Sequence, residues 1–507
     1  MSPMRPVEPT RLTTSQTDRA AGVLLTAACG DALGVPYEFA RPPAADELAE
    51  MLGGGLGDGA PGEWSDDTAM AAAIGRVAAT GANLTKREAL DEVALGFLQW
   101  FDGGPPDVGI QTSAVLTASA RRLAAEGGPP SEVLAAEAAA YAERNPRSAG
   151  NGALMRTGPV ALAHLRDRDA CARAARAVAE LTHADPLAGD SCVLWSEAVR
   201  AAVVDGRLDV EAGLDLIPGE RREQWAAWLA EAQDVLPDGE VPGRRFTPNG
   251  FTVTALQAAV AAVTGTPVPD LRPREASYPC LHLQHALHAA VRIGDDTDSV
   301  AAIAGALLGA RWGASAVPWR WRRLVHGWPG LDGRDLVSLA TKAARGGRLD
   351  SKGWPDVDDV PYDEYASPHV VLHPYDDGVV IGTTRTRGAG VDAVVSMCRV
   401  GRAQACFDGA TELVESRLMD AEDRDANPNL HFVLADTADA VRGLRAEGKR
   451  VLLHCVAAQQ RTPSAAVAYA VMLGADPEEA RERVLAVLNE ARGYGRVWEA
   501  AGEVLAR

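Results

Sequence analysis

The chain has 507 residues, 47% hydrophobic and 23% charged, which is enough apolar material for more than one core and excludes wholesale disorder. At about 100–200 residues per domain, this length suggests two to four domains. Fifty basic against 69 acidic side chains leave a net charge of −19, so bulk charge excludes nucleic acid and anionic membranes as partners.

Residues 1–19 are polar and read as a disordered lead-in. Residues 20–345 are rich in Ala, Leu and Val at helical spacing and read as one all-α domain. Its opening apolar stretch is interrupted by Asp31 and reads as too short for a signal or anchor. The run from Val300 to Ala310 falls short of the ~20 residues that span a bilayer. Residues 346–370 are Pro- and Asp-rich around Lys352–Pro361 and read as a linker or surface strap. In residues 371–507 the β-branched runs Gly378–Gly382, Asp392–Met397 and Arg450–His454 alternate with helical patterns. That alternation predicts a small α/β domain with a parallel sheet. The seven cysteines, Cys29, Cys171, Cys192, Cys280, Cys398, Cys406 and Cys455, include no C-x-x-C pair, so a reducing cytoplasm is expected.

Two hydroxyl-carboxylate clusters stand out: Ser65-Asp66-Asp67-Thr68 and Asp295-Asp296-Thr297-Asp298-Ser299, each opening an apolar helix. Helix capping accounts for one side chain in each. Adjacent carboxylates repel unless a cation sits among them, and an oxygen-only donor set without Cys or His suits Mg²⁺ or Mn²⁺ and not zinc. Further candidates are Glu38, which follows Gly30-Asp31-Ala32-Leu33-Gly34, the Gly150-Asn151-Gly152 turn, and His183 in Thr182-His183-Ala184-Asp185.

In this order, G-D-A-L-G…E, W-S-D-D-T, G-N-G-A-L-M-R, T-H-A-D and G-D-D-T-D-S resemble the ADP-ribosylglycohydrolase family over roughly residues 20–340. The resemblance implies an all-α fold, a site for two Mg²⁺ ions (or Mn²⁺), and hydrolysis at the ribose C1 of an ADP-ribosyl group. The partner is then an ADP-ribosylated protein or an ADP-ribose-type small molecule. By position it implies Ser65, Asp66 and Asp67 as one set of metal ligands and Asp296, Asp298 and Ser299 as the other. Asn151, Gly152 and His183 correspond to substrate-pocket positions, and Asp67 or Glu38 to the catalytic base. Asp295 stands where the family commonly has glycine.

The second constellation is Cys455-Val456-Ala457-Ala458-Gln459-Gln460-Arg461-Thr462, set between a strand and an apolar helix. A loop at a helix N-terminus aims successive amides at one point, which suits a phosphate and favours a Cys455 thiolate. Arg461 can fork onto two phosphate oxygens, and Thr462 can donate to the departing sulfur. Residues 370–507 resemble the cysteine-dependent protein phosphatases, closest to the dual-specificity members, which implies a phosphorylated substrate. The resemblance also implies a general acid from an upstream loop, Asp423 first and Asp420 second. Ala458 departs from the glycine usual at that loop position.

Together these readings predict a two-domain hydrolase that removes ADP-ribosyl groups and carries a phosphatase-like C-terminal domain. The alternative is an ADP-ribose-binding module attached to an active phosphatase.

Overall fold

A computed structural model of the chain describes residues 11–235, 239–362, 367–403, 410 and 412–504; Cys406 lies outside them. The first described helix begins earlier than the sequence pattern suggests. The Thr13 hydroxyl accepts the Gln16 amide, and the Gln16 side chain accepts the Thr13 amide, a reciprocal cap that starts α1 (Thr14–Gly34). The expected lead-in over residues 1–19 is therefore helical from Thr14 on, and residues 1–10 lie outside the described ones.

Extended by one turn to Tyr37, α1 is long and apolar enough to cross a membrane, which corrects the expectation that Asp31 breaks it too soon. Of that apolar window 83% is buried inside the protein, the setting of a core helix. The reason is its small-residue face. A Cβ on Gly22 or Gly30 would overlap Gly309 or Ala301, so α1 and the Thr297–Trp312 helix touch backbone to backbone. The helices Asp66–Ala78, Pro186–Asp205, Thr252–Thr264, Leu281–Ile293 and Gly333–Ala344 pack around this pair. Leu24, Ile74, Trp195, Leu256, Leu287 and Ile303 fill the core between them. The domain is helical as predicted, apart from a short antiparallel ribbon of β1 (His326–Gly327) and β2 (Leu331–Asp332).

The C-terminal domain holds a five-stranded sheet of β3 (Val370–His373), β4 (Asp376–Thr383), β5 (Ala393–Ser396), β6 (Glu412–Glu415) and β7 (Val451–Cys455). The order is β3-β4-β7-β5-β6. The expected all-parallel sheet is corrected: β4, β7, β5 and β6 are parallel, but β3 is antiparallel to β4. The Pro374-Tyr375 turn is too short for a crossover helix, so β3 folds back as a hairpin. From Val379 on, the central strands are buried, and the Leu430–Ala446 and Arg461–Met472 helices pack on the face that carries Val379, Ile381, Val395, Val451 and Leu453.

Residues 346–362 form a packed strap. Trp354 and Val360 are buried, Asp350 accepts the Lys352 and Trp354 amides, and Arg399 of the second domain bonds Asp350 at 2.8 Å. Trp319 of the first domain packs into the second core, its amide donating to Asp436 at 2.9 Å and its indole to Asp439 at 2.7 Å.

Candidate functional site

The acid clusters meet where three helix ends converge. Asp31 sits in the last turns of α1, Asp66 and Asp67 open the Asp66–Ala78 helix, and Asp298 opens the Thr297–Trp312 helix. Neither Ser65 nor Asp296 caps its own helix with its side chain. Asp31 does that from another element, its carboxylate accepting the Ser65 amide at 2.9 Å and the Thr68 amide at 3.0 Å. Capping therefore does not use up the carboxylates of the two clusters.

One carboxylate oxygen each from Asp31, Asp67 and Asp298 lie within 4.8 Å of one another, and so do one each from Glu38, Asp296 and Asp298. The two groups share Asp298, the arrangement expected of a two-cation site. Among the described residues no Lys or Arg forms an ion pair with any of them. Burial first, and then neighbouring carboxylates, raise Asp67 and Asp298 well above the usual range. Glu38 and Asp66 are pushed to about 8, by burial first and then by Asp107. Asp67 Oδ1 and Asp298 Oδ1 are buried without a hydrogen-bond partner. An oxygen-only donor set, uncompensated charge and orphaned acceptors fit a pair of hard divalent cations.

The remaining predicted residues take distinct places. The Ser65 hydroxyl donates to Asp67 at 3.0 Å, and the Ser299 side chain bonds the Asp296 carboxylate while its hydroxyl lies 3.6 Å from Met155 Sδ. Asp66 accepts the Gly109 amide and lines, with Glu38, Ser65, Trp64, Trp100 and Asp107, a cavity of about 230 Å³. The Asn151 amide group donates to Asp296 at 2.7 Å and to the Asn249 carbonyl at 3.2 Å. His183 is buried against Gly150 and Gly152.

Asp31, Asp107 and Asn249 belong to this neighbourhood and were not singled out from the sequence. Asp31 carries a signal, being the lone carboxylate in an otherwise small and apolar helical run. Asn249 holds the second cluster in shape: its Oδ1 accepts the Asp296 amide at 2.9 Å and its Nδ2 donates to the Gly294 carbonyl at 3.1 Å. It also explains Asp295, which adopts a left-handed φ of 68° while its carboxylate accepts the Asn249 amide at 3.0 Å.

The Cys455 loop forms a separate site. Cys455 ends β7, and Arg461 opens the following helix. Arg461 Nη1 donates to the Met397 carbonyl at 2.8 Å and the Leu418 carbonyl at 3.2 Å, while its Nε is buried without a partner. Thr462 Oγ1 is likewise buried and unpartnered. A cavity of about 350 Å³ is lined by Cys455, Arg461, Asp420, Arg492 and the strap residues Lys352 and Tyr362. Asp423, the first choice for a general acid, does not line it. Its carboxylate instead accepts the Asp425 amide at 3.0 Å and caps a short turn, which leaves Asp420 at the cavity. Ala458 has a φ of 52°, the left-handed conformation that glycine adopts without strain.

The sequence profile of the ADP-ribosylglycohydrolase family matches residues 12–352. ADP-ribosylarginine hydrolase Tri1 from Pseudomonas putida is 29% identical over 307 residues, covering 60% of this chain and 73% of its own. ADP-ribosyl-[dinitrogen reductase] glycohydrolase from Rhodospirillum rubrum is 29% identical over 318 residues, covering 60% of this chain and 89% of its own. ADP-ribosylhydrolase ARH3 from Bos taurus is 28% identical over 348 residues, covering 62% and 90%.

Proposed function

The chain belongs to the ADP-ribosylglycohydrolase family, and we propose that it cleaves the glycosidic bond at the ribose C1 of an ADP-ribosyl group with two divalent cations, Mg²⁺ or Mn²⁺. The observation that carries this reading is the pair of carboxylate triplets sharing Asp298. Asp31, Asp67 and Asp298 would hold one ion, and Glu38, Asp296 and Asp298 the other. When bound, such ions polarise substrate oxygens and draw anionic groups to a protein whose bulk charge repels them.

The chain's own residues divide the remaining work. Asp67 is enclosed, whereas Glu38 is only half-buried and lines the cavity, so the Glu38 oxygen not holding the cation is the one placed to exchange protons with solvent. Departure of the leaving group builds positive charge at the anomeric carbon, which the surrounding carboxylates stabilise. Asn151 orients Asp296. One of the relatives is an ADP-ribosylarginine hydrolase, so an arginine-linked substrate is the first to try. The test is cation-dependent release of ADP-ribose from arginine-, serine- and acetyl-linked substrates by wild type, with loss in Asp67→Ala. No release from any of the three overturns hydrolysis. If Asp67→Ala leaves both ADP-ribose affinity and turnover untouched, the metal site itself is wrong.

A second reading concerns the C-terminal domain and is favoured by the unpartnered Arg461 Nε and Thr462 Oγ1 beside Cys455. That domain would bind the phosphate of a phosphorylated substrate. Cys455 Sγ would attack phosphorus as Asp420 protonates the leaving oxygen, and water would then release phosphate from the thiol. Equal aryl-phosphate turnover by wild type and Cys455→Ser removes Cys455 as nucleophile. Phosphatase turnover by Cys455 combined with ADP-ribose binding but no ADP-ribosyl hydrolysis would favour the alternative, an ADP-ribose reader attached to a phosphatase. The six described cysteines are free thiols, and a cytoplasmic setting is part of the same proposal.

A further inference from the structure

His183 is only 2% exposed, and the bonds around it are directional. Arg156, also buried, points its Nη2 at Thr182 Oγ1 at 2.7 Å, and that oxygen lies 2.8 Å from His183 Nδ1. Arginine only donates, so the threonine oxygen accepts from Arg156. The hydroxyl has one proton, and no acceptor for it other than Nδ1 is seen among the described residues. Nδ1 is then the acceptor, and the imidazole proton sits on Nε2.

Thr182 cannot easily turn away from this arrangement. Its amide donates to the Ala179 carbonyl at 3.1 Å and its carbonyl accepts Gln111 Nε2 at 3.1 Å. Arg156 is held in turn by the Phe97 ring, 4.4 Å from the guanidinium carbon to the centroid, and by Met70 Sδ at 3.4 Å. Burial, and then the Arg156 charge, drive His183 down to about 3, so the ring stays neutral at physiological pH.

The Nε2 edge faces the Gly150–Gly152 turn. A Cβ on Gly150 would lie 3.3 Å from Nε2, and one on Gly152 would lie 3.0 Å from Cε1 and 3.2 Å from Nε2. Two connections tie this turn to the carboxylates. Asn151 donates to Asp296, and Gly109, in the turn that leads into Gln111 and Thr112, donates to Asp66. Gln111 and Thr112 also border Gly150 and Gly152.

We infer that Arg156 and Thr182 are positioning residues that fix His183 as a neutral Nε2–H donor, aimed at a phosphate or hydroxyl oxygen of the bound ADP-ribosyl group. This rests on the ADP-ribosyl reading above for the identity of the ligand, while the tautomer stands on the geometry alone. The glycines at 150 and 152 follow from the same inference, since a side chain at either position would crowd the donor edge.

The experiment uses the full chain with Thr182→Val, which keeps the shape and removes the hydroxyl, and Thr182→Ser, which restores it. ADP-ribose affinity is measured by calorimetry, and the histidine tautomer by NMR of ¹⁵N-histidine-labelled protein, assigned with a His183→Gln control. The expected result is an Nε2-protonated His183 in wild type. Thr182→Val should show about a tenfold loss of affinity, appearing in KM more than in kcat, with recovery in Thr182→Ser. An Nδ1-protonated ring in wild type, or unchanged affinity in a folded Thr182→Val, overturns the inference. If Thr182→Val does not fold, the wild-type tautomer and the Thr182→Ser affinity still decide it. A wild type that binds no ADP-ribose overturns the functional reading and the ligand assignment with it, while the tautomer measurement judges the relay separately.

Discussion

Gly34 and Asp298 pack backbone against backbone, so that a methyl group on Gly34 would overlap the Asp298 Cα and lie 2.6 Å from the Thr297 carbonyl carbon. This contact brings Asp31, one turn earlier on α1, into the same group as Asp298. Gly34→Ala must push the two helix ends apart. Overpacking of this kind costs about 1–3 kcal/mol. The expected outcome is a lower melting temperature together with a weaker response to Mg²⁺ or Mn²⁺. A variant that melts like wild type and responds equally to the cation would show that the contact does not set the site.

Asp298 belongs to both carboxylate triplets, and its Oδ1 is buried without a partner. In the absence of a cation it is a source of repulsion, so Asp298→Asn should raise the melting temperature of the cation-free protein. The same change should abolish stabilisation by added Mg²⁺ or Mn²⁺. For wild type at about 100 times Kd, that stabilisation amounts to about 2.7 kcal/mol for each ion bound. Thermal scans with chelator and with each cation read both effects. A wild type that shows no cation-dependent shift would contradict the two-ion site.

The legible part of this site was its excess of charge. Asp66 with Asp67, and Asp296 with Asp298, hold more carboxylate than a helix cap uses, and that was visible in the chain. Asp31 was not, because its role depends on two helices that cross some 260 residues apart in sequence through glycine contacts. Asn249 escaped for the same reason, since it acts on a turn 45 residues away. The helical domain followed from periodicity, whereas β3 was missed because four residues before a proline carry no alternation signal. Spacing also could not separate Asp420 from Asp423. They lie three residues apart, and the loop is oriented by Asn427, which bonds both the amide and the carbonyl of Met419.

Ala458 and Asp295 share a left-handed backbone but differ in compensation. Ala458 has a φ of 52° and a side chain without polar atoms, so Ala458→Gly should stabilise the protein by about 1 kcal/mol. Relief of that strain in the Cys455 loop should also raise affinity for inorganic phosphate. Asp295 offsets its φ of 68° with the bond from the Asn249 amide, so Asp295→Gly should be near neutral or destabilising. Denaturant unfolding of both variants checks the contrast, and a destabilised Ala458→Gly would refute it.

The junction between domains includes an ion cluster whose pH dependence has a defined sign. Arg323 of the first domain donates to Glu447 of the second at 2.8 Å, and Lys449 lies 2.9 Å from the same oxygen. Arg323 first, and then Lys449, hold the Glu447 carboxyl down at about 2, below its ordinary value of 4.5. A folded-state pKa below the unfolded one stabilises the folded form above about pH 4.5, and the contribution disappears as pH falls toward about 2. Glu447 is partly exposed, so solvent keeps the effect modest. Wild type should therefore melt above Glu447→Gln at pH 7, with the gap closing as pH falls through that window. Raising the salt concentration at pH 7 should narrow the gap as well, because the pair is screened. A gap that ignores both pH and salt would mean that Glu447 acts at the junction through packing and not through charge.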